Sequence, residues 1–131
     1  MEKMREQLLR VLQQHKDIQL CLVFGSTASG RASSESDLDI AVAGEQPFSD
    51  DRFLELASEF SAATNREIDL VDLMAVTGPI LKQALSTGII VQNHNKNLYA
   101  RLISQMLFNQ ADMMPYYNRI LRERRKKFLN G

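Results

Sequence analysis

The chain has 131 residues, 44% hydrophobic and 24% charged, enough for one domain with its own core. Its single cysteine excludes a disulfide framework within the chain, no apolar run approaches membrane-spanning length, and the N-terminus lacks a signal-peptide pattern, so the expected setting is the cytoplasm. Sixteen basic and sixteen acidic residues cancel overall, but from Asn97 onward seven basic residues face two acidic ones, leaving a tail of +5 on a body of −5.

Met4, Leu8, Val11 and Leu12 recur at helical spacing, predicting an amphipathic helix over residues 2–15 that packs on a sheet. His15, near its end, is expected at the surface, compensating the helix dipole. The unbroken apolar run Leu20–Phe24 ends in glycine and reads as a buried strand, with Cys21 as a small buried hydrophobe. A Gly25–Ser26 turn follows, then one or two helical turns that Gly30 stops. At such a helix start the backbone N–H groups lack partners and form a concavity that suits phosphate. Gly25 lets the backbone approach a ligand closely, and the Ser26 hydroxyl can reach a phosphate oxygen.

The serine-rich residues 31–36 form a loop, after which Asp37-Leu38-Asp39-Ile40-Ala41-Val42 alternates as a strand. Residues two apart share a face, so Asp37 and Asp39 point one way while Leu38, Ile40 and Val42 enter a core. Paired carboxylates repel unless a cation sits between them, and hard oxygen ligands suit Mg²⁺ or Mn²⁺. A phosphate cradle beside such a pair implies a nucleotide bound through its metal-complexed triphosphate.

Residues 43–47 make a turn, and Ser49 caps a helix with Asp50 and Asp51 in its first turn and Phe53, Leu56, Ala57 and Phe60 on its apolar face. Residues 67–72 read as a third strand. Asp69 or Asp72 can join the face of Asp37 and Asp39, but not both, because three residues apart puts them on opposite faces. The central Asp69 is assigned to the site, and Asp72 to capping the following turn. Thr77-Gly78-Pro79 opens a helix with apolar Ile80, Leu81, Ala84 and Leu85, and Gly88 closes it. Ile89-Ile90-Val91 makes a fourth strand, and His94 falls in the polar turn Asn93–Lys96. From Leu98 the chain is helical, with Leu102, Ile103, Met106 and Leu107 on its apolar face and a break expected near Pro115. Tyr116, Tyr117, Ile120, Leu121 and Phe128 continue on a second segment.

The expected fold class is α+β: a small mixed sheet of about four strands flanked by helices, with a domain over residues 1–96 and a helical C-terminal extension over 97–131. Other helices suffice to cover one sheet face, so the extension is either part of the same globular unit or a partner-binding surface. Its basic run has few aromatic residues interleaved for base stacking, which points to a protein partner rather than direct nucleic-acid binding.

Gly-Ser, ten residues, then Asp-x-Asp with a later strand Asp resembles the nucleotidyltransferase superfamily that includes DNA polymerase beta. The spelling around Gly25–Val42 resembles the minimal nucleotidyltransferases, and among these the MntA-type antitoxins paired with HEPN-domain ribonuclease toxins. The resemblance covers residues 1–92. It implies Gly25 and Ser26 as the nucleotide-binding turn, and Asp37, Asp39 and Asp69 as catalytic metal ligands for two Mg²⁺ ions, with Mn²⁺ as a substitute. Where relatives carry Arg directly before the glycine at position 30, this chain has Ser29, and Arg31 is the expected nucleotide-binding replacement. The implied activity is transfer of AMP from ATP to a tyrosine hydroxyl of a cognate HEPN toxin held in a hetero-oligomeric complex. A binding-only antitoxin and a small-molecule nucleotidyltransferase are the competing readings.

Overall fold

The computed structural model describes residues 2–25 and 37–108. Four strands form one sheet in the order β3-β2-β1-β4, where β1 is Leu20–Phe24, β2 Leu38–Ala43, β3 Ile68–Asp72 and β4 Ile89–Asn93. β1 runs antiparallel to β2 and to β4, while β2 and β3 are parallel, so the sheet is mixed. Helix α1 spans Glu2–Gln13, α2 Asp50–Thr64 and α3 Pro79–Thr87, and a fourth, α4, covers residues 96–108. Parallel neighbours need a crossover, and α2 supplies it between β2 and β3.

Side-chain alternation on the central strands feeds two cores. Cys21, Val23, Leu38, Ile40 and Val42 pack against Leu8, Val11 and Leu12 of α1 and Leu56 and Phe60 of α2. Leu20, Leu22, Phe24, Ala41 and Ala43 pack on the other face against Leu81, Ala84 and Leu85 of α3 and Leu98 and Leu102 of α4. Leu98 and Leu102 are fully buried, and Ile103 and Met106 pack beside them. The start of the extension therefore covers the second sheet face, a role that counting helices for a single face does not foresee. The break expected at Pro115 and the apolar positions from Tyr116 to Phe128 lie outside the described residues.

Local signals place the helix ends. The Ser49 side chain accepts from the Arg52 N–H at 3.2 Å, and Asn65 closes α2 in the left-handed region with φ 54°. Gly78 precedes Pro79 at the start of α3. Gly88 ends that helix in extended geometry rather than as a left-handed cap, and a Cβ there would strike the Ala84 carbonyl. Two expectations need correction. Ile80 is 47% exposed, because Leu81, Ala84 and Leu85 alone span the face of α3 that meets the sheet. Leu107 is 53% exposed, directly after Met106, the last packed position of α4. No helix among the described residues is long and apolar enough to cross a membrane.

Candidate active site

β1 ends where β2 and β3 begin, so one end of the sheet collects the residues singled out by the sequence. Phe24 pairs with Asp39 across the antiparallel ladder, and Gly25 follows directly. In the parallel ladder Asp39 is the register partner of Asp69, which sets their Cα atoms about 5 Å apart. Alternation puts both side chains on one face, the face that further along the strands carries Ala41, Ala43 and the second core. Asp37 shares this parity and is exposed, as is Asp69, while Asp39 is half-buried.

Gly25 adopts φ +72°, the left-handed region, and a Cβ there would collide with Oδ2 of Asp39. The glycine is thus required twice, by backbone conformation and by the carboxylate that presses on it. This contact closes the gap between the turn and the acidic strand: the backbone where phosphate is expected and the carboxylate where metal is expected are neighbours. Burial pushes the Asp39 carboxyl above its ordinary value, and Asp69 adds to the rise through its charge and a side-chain hydrogen bond. Asp37 adds a smaller push. No cation among the described residues offsets the rise at Asp39. Closely spaced carboxylates fixed by two strands fit a hard divalent ion, which would neutralise them.

Asp72 has the opposite environment. It is 5% exposed, on the other face of β3, and its carboxylate accepts from the N–H groups of Phe48 at 2.8 Å and Met74 at 2.9 Å. It therefore ties the β2–α2 connection to the turn after β3, in keeping with the capping role expected for it. Ser26, Ser29 and Arg31 lie outside the described residues, so Gly25 and the three aspartates make up the portion of the predicted site that the structure places.

Cys21 is fully buried, and burial pushes its thiol up to about 12, consistent with an inert packing residue. His94 sits exposed in the turn after β4. His15 departs from expectation. Its side chain is only 10% exposed, wedged between Arg52, whose Nη2 lies 2.7 Å from its Nδ1, and Glu59. Arg52 also donates to Asp17 at 2.9 and 2.6 Å and pairs with Glu55. The helical spacing of Arg52, Glu55 and Glu59 was the available signal for this network, but their meeting with His15 and Asp17 depends on how α1 packs on α2.

Residues 6–97 match the model of the polymerase beta nucleotidyltransferase family. A curated relative, protein adenylyltransferase MntA of Shewanella oneidensis, is 32% identical over 71 residues, which span 54% of this chain and 51% of that protein. Among solved structures, a toxin–antitoxin crystal structure with AMP-PNP superposes at TM-score 0.72, with 23% identity over 89% of this chain and 98% of the other. The tri-AMPylated Shewanella oneidensis HEPN toxin in complex with its MNT antitoxin matches at TM-score 0.66, with 23% identity over 90% and 96% of the two chains. At those identities the structural likeness establishes a shared fold, and the family match covers most of the chain. The chain belongs to the polymerase beta-type nucleotidyltransferase family.

Proposed function

We propose that this nucleotidyltransferase is a metal-dependent protein adenylyltransferase, the antitoxin partner of a HEPN ribonuclease toxin, and that it transfers AMP from ATP to a toxin tyrosine. The observation that carries the chemistry is the Asp39–Asp69 register pair with the Gly25 backbone against it. In this reading Asp37, Asp39 and Asp69 hold two Mg²⁺ ions, for which Mn²⁺ can substitute. When bound, the ions neutralise the triphosphate and make the acceptor hydroxyl more acidic.

The residues of the chain then act by positioning. Gly25 and Ser26, with Arg31, orient the triphosphate so that the α-phosphorus faces the acceptor. The tyrosine oxygen forms a bond to that phosphorus as the bond to the bridging oxygen breaks, and pyrophosphate leaves with the electron pair. Asp69, exposed at the outer strand, takes the hydroxyl proton or helps hold the acceptor-side ion. Catalysis rests on alignment and charge neutralisation rather than on a protein nucleophile.

The similar Shewanella protein, named an adenylyltransferase, and the solved complex of an AMPylated HEPN toxin support the choice of donor and acceptor. The charge split of +5 in the tail and −5 in the body supports a role for the tail in steering a protein partner. A buried single cysteine fits the reducing cytoplasm in which such a pair would act. The test is incubation with ATP, Mg²⁺ and the protein encoded by the adjacent gene, followed by intact mass and peptide mapping. The expected result is whole AMP increments on a toxin tyrosine. A toxin neutralised with no change in mass would overturn transfer in favour of binding alone.

A further inference from the structure

A second group of ligand atoms lies at the seam of α1 and α2, toward the far end of β1 from Gly25. Glu55 and Glu59 stand one turn apart on α2, and His15 faces them from just beyond α1. One ligand atom from each lies within 4.8 Å of the other two. His15 Nε2 is 2.9 Å from Glu59 Oε2, yet the pair lacks the alignment of a hydrogen bond, and this fully buried nitrogen has no hydrogen-bond partner. The side chain that carries it is nine-tenths buried. A buried ring nitrogen thus lies beside a carboxylate without bonding to it, a few tenths of an ångström closer than the roughly 3.4 Å that separates two ligands of a tetrahedral ion with arms of about 2.0–2.2 Å, so an ion entering here would open the pair slightly.

We infer that His15, Glu55 and Glu59 form a binding site for a divalent transition ion of the Zn²⁺ class, with water completing the coordination. One imidazole with two carboxylates is a donor set suited to Zn²⁺, whereas the oxygen-only set at the sheet end suits Mg²⁺. Arg52 competes with the ion. A guanidinium only donates, so in the ion-free chain His15 Nδ1 accepts from Arg52 and Nε2 carries the proton. Binding at Nε2 requires the other tautomer, with the proton on Nδ1. Arg52 must then leave both the ring and Glu55, with which it pairs, while its bonds to Asp17 retain it. The site is therefore an exchange between Arg52 and a metal ion over one histidine.

The probe is Zn²⁺, titrated into the full chain by calorimetry in a non-coordinating buffer, with the tautomer of His15 followed by ¹⁵N NMR. The expected result is a saturable event that moves the ring proton from Nε2 to Nδ1. Glu59→Gln should weaken that event by at least about tenfold, the scale on which even outer ligand partners act. Arg52→Gln should strengthen it by removing the competitor, and Asp39→Asn should leave it in place. Glu59 is partly exposed, so its variant should fold even if changes at His15 do not. Unchanged affinity in Glu59→Gln, or a His15 tautomer unmoved at Zn²⁺ saturation, would overturn the assignment.

Discussion

Asp69 and Asp72 stand three residues apart on one strand and occupy opposite electrostatic worlds. Asp72 is buried and satisfied by two backbone N–H groups, so its charge joins two loops. Asp69 is exposed and set beside Asp39, whose carboxyl is raised by burial and by that neighbour. One end of the β2–β3 pair invests its carboxylate in the fold, and the other holds carboxylates that the fold alone does not stabilise. A repulsive pair retained on rigid strands is the pattern of a site that awaits a cation.

The largest expected effect breaks the comparison at the functional end. Asp39→Asn should lower AMP transfer by on the order of a thousandfold or more, since it removes transition-state charge stabilisation. Its kcat/KM would be measured with the toxin as acceptor, and near-normal turnover would refute the catalytic assignment. Asp72→Ala should do the reverse. It leaves two part-buried N–H groups without their acceptor and should cost about 1–3 kcal/mol of stability by denaturant titration, with little direct effect on nucleotide binding in the folded fraction.

Gly25→Ala should damage both properties to a lesser degree. Its left-handed backbone and the clash with Asp39 together predict a loss of about 1–2 kcal/mol. The shift in Tm and the affinity for AMP-PNP would be read together. If both stay at wild-type values, the turn does not have the geometry described.

The pH dependence sharpens the contrast. The folded state raises the Asp39 carboxyl, so folding favours its protonated form, and stability falls as pH rises from its unfolded value through its folded one. Asp39→Asn should therefore melt above wild type at neutral pH, and the gain should vanish at acid pH, where the wild-type carboxyl is protonated in both states. Asp17 runs the other way. Its hydrogen bond to Arg52 lowers its carboxyl, so its contribution is present above the unfolded value and is lost as pH falls through the folded one. The smallest effect concerns Cys21, whose buried thiol should resist alkylation in the native protein and react only on unfolding.

The sequence made much of this legible because its periodicities were local. The alternation from Asp37 to Val42 placed Leu38, Ile40 and Val42 in a core, and the three-residue offset separated Asp69 from Asp72. Both inferences need only the geometry of one strand. The order β3-β2-β1-β4 and the Asp39–Asp69 register are long-range pairings, and no local pattern specifies them. The apolar face of Leu98 and Leu102 is local too, but which surface it covers stays open in the sequence for the same reason, since an amphipathic helix does not reveal its partner. His15 is buried by neighbours that belong to another helix, which no pattern within α1 shows.

The central claim, that the Asp39–Asp69 end is repulsive by itself and relieved by a cation, has one direct test. Melting curves of wild type and Asp39→Asn would be recorded at neutral pH with and without Mg²⁺ and AMP-PNP. The account predicts a crossing: Asp39→Asn melts higher in the absence of ligand, and wild type alone gains substantially when metal and nucleotide are added. An undiminished ligand-induced gain in Asp39→Asn would contradict it and place the cation and its nucleotide elsewhere.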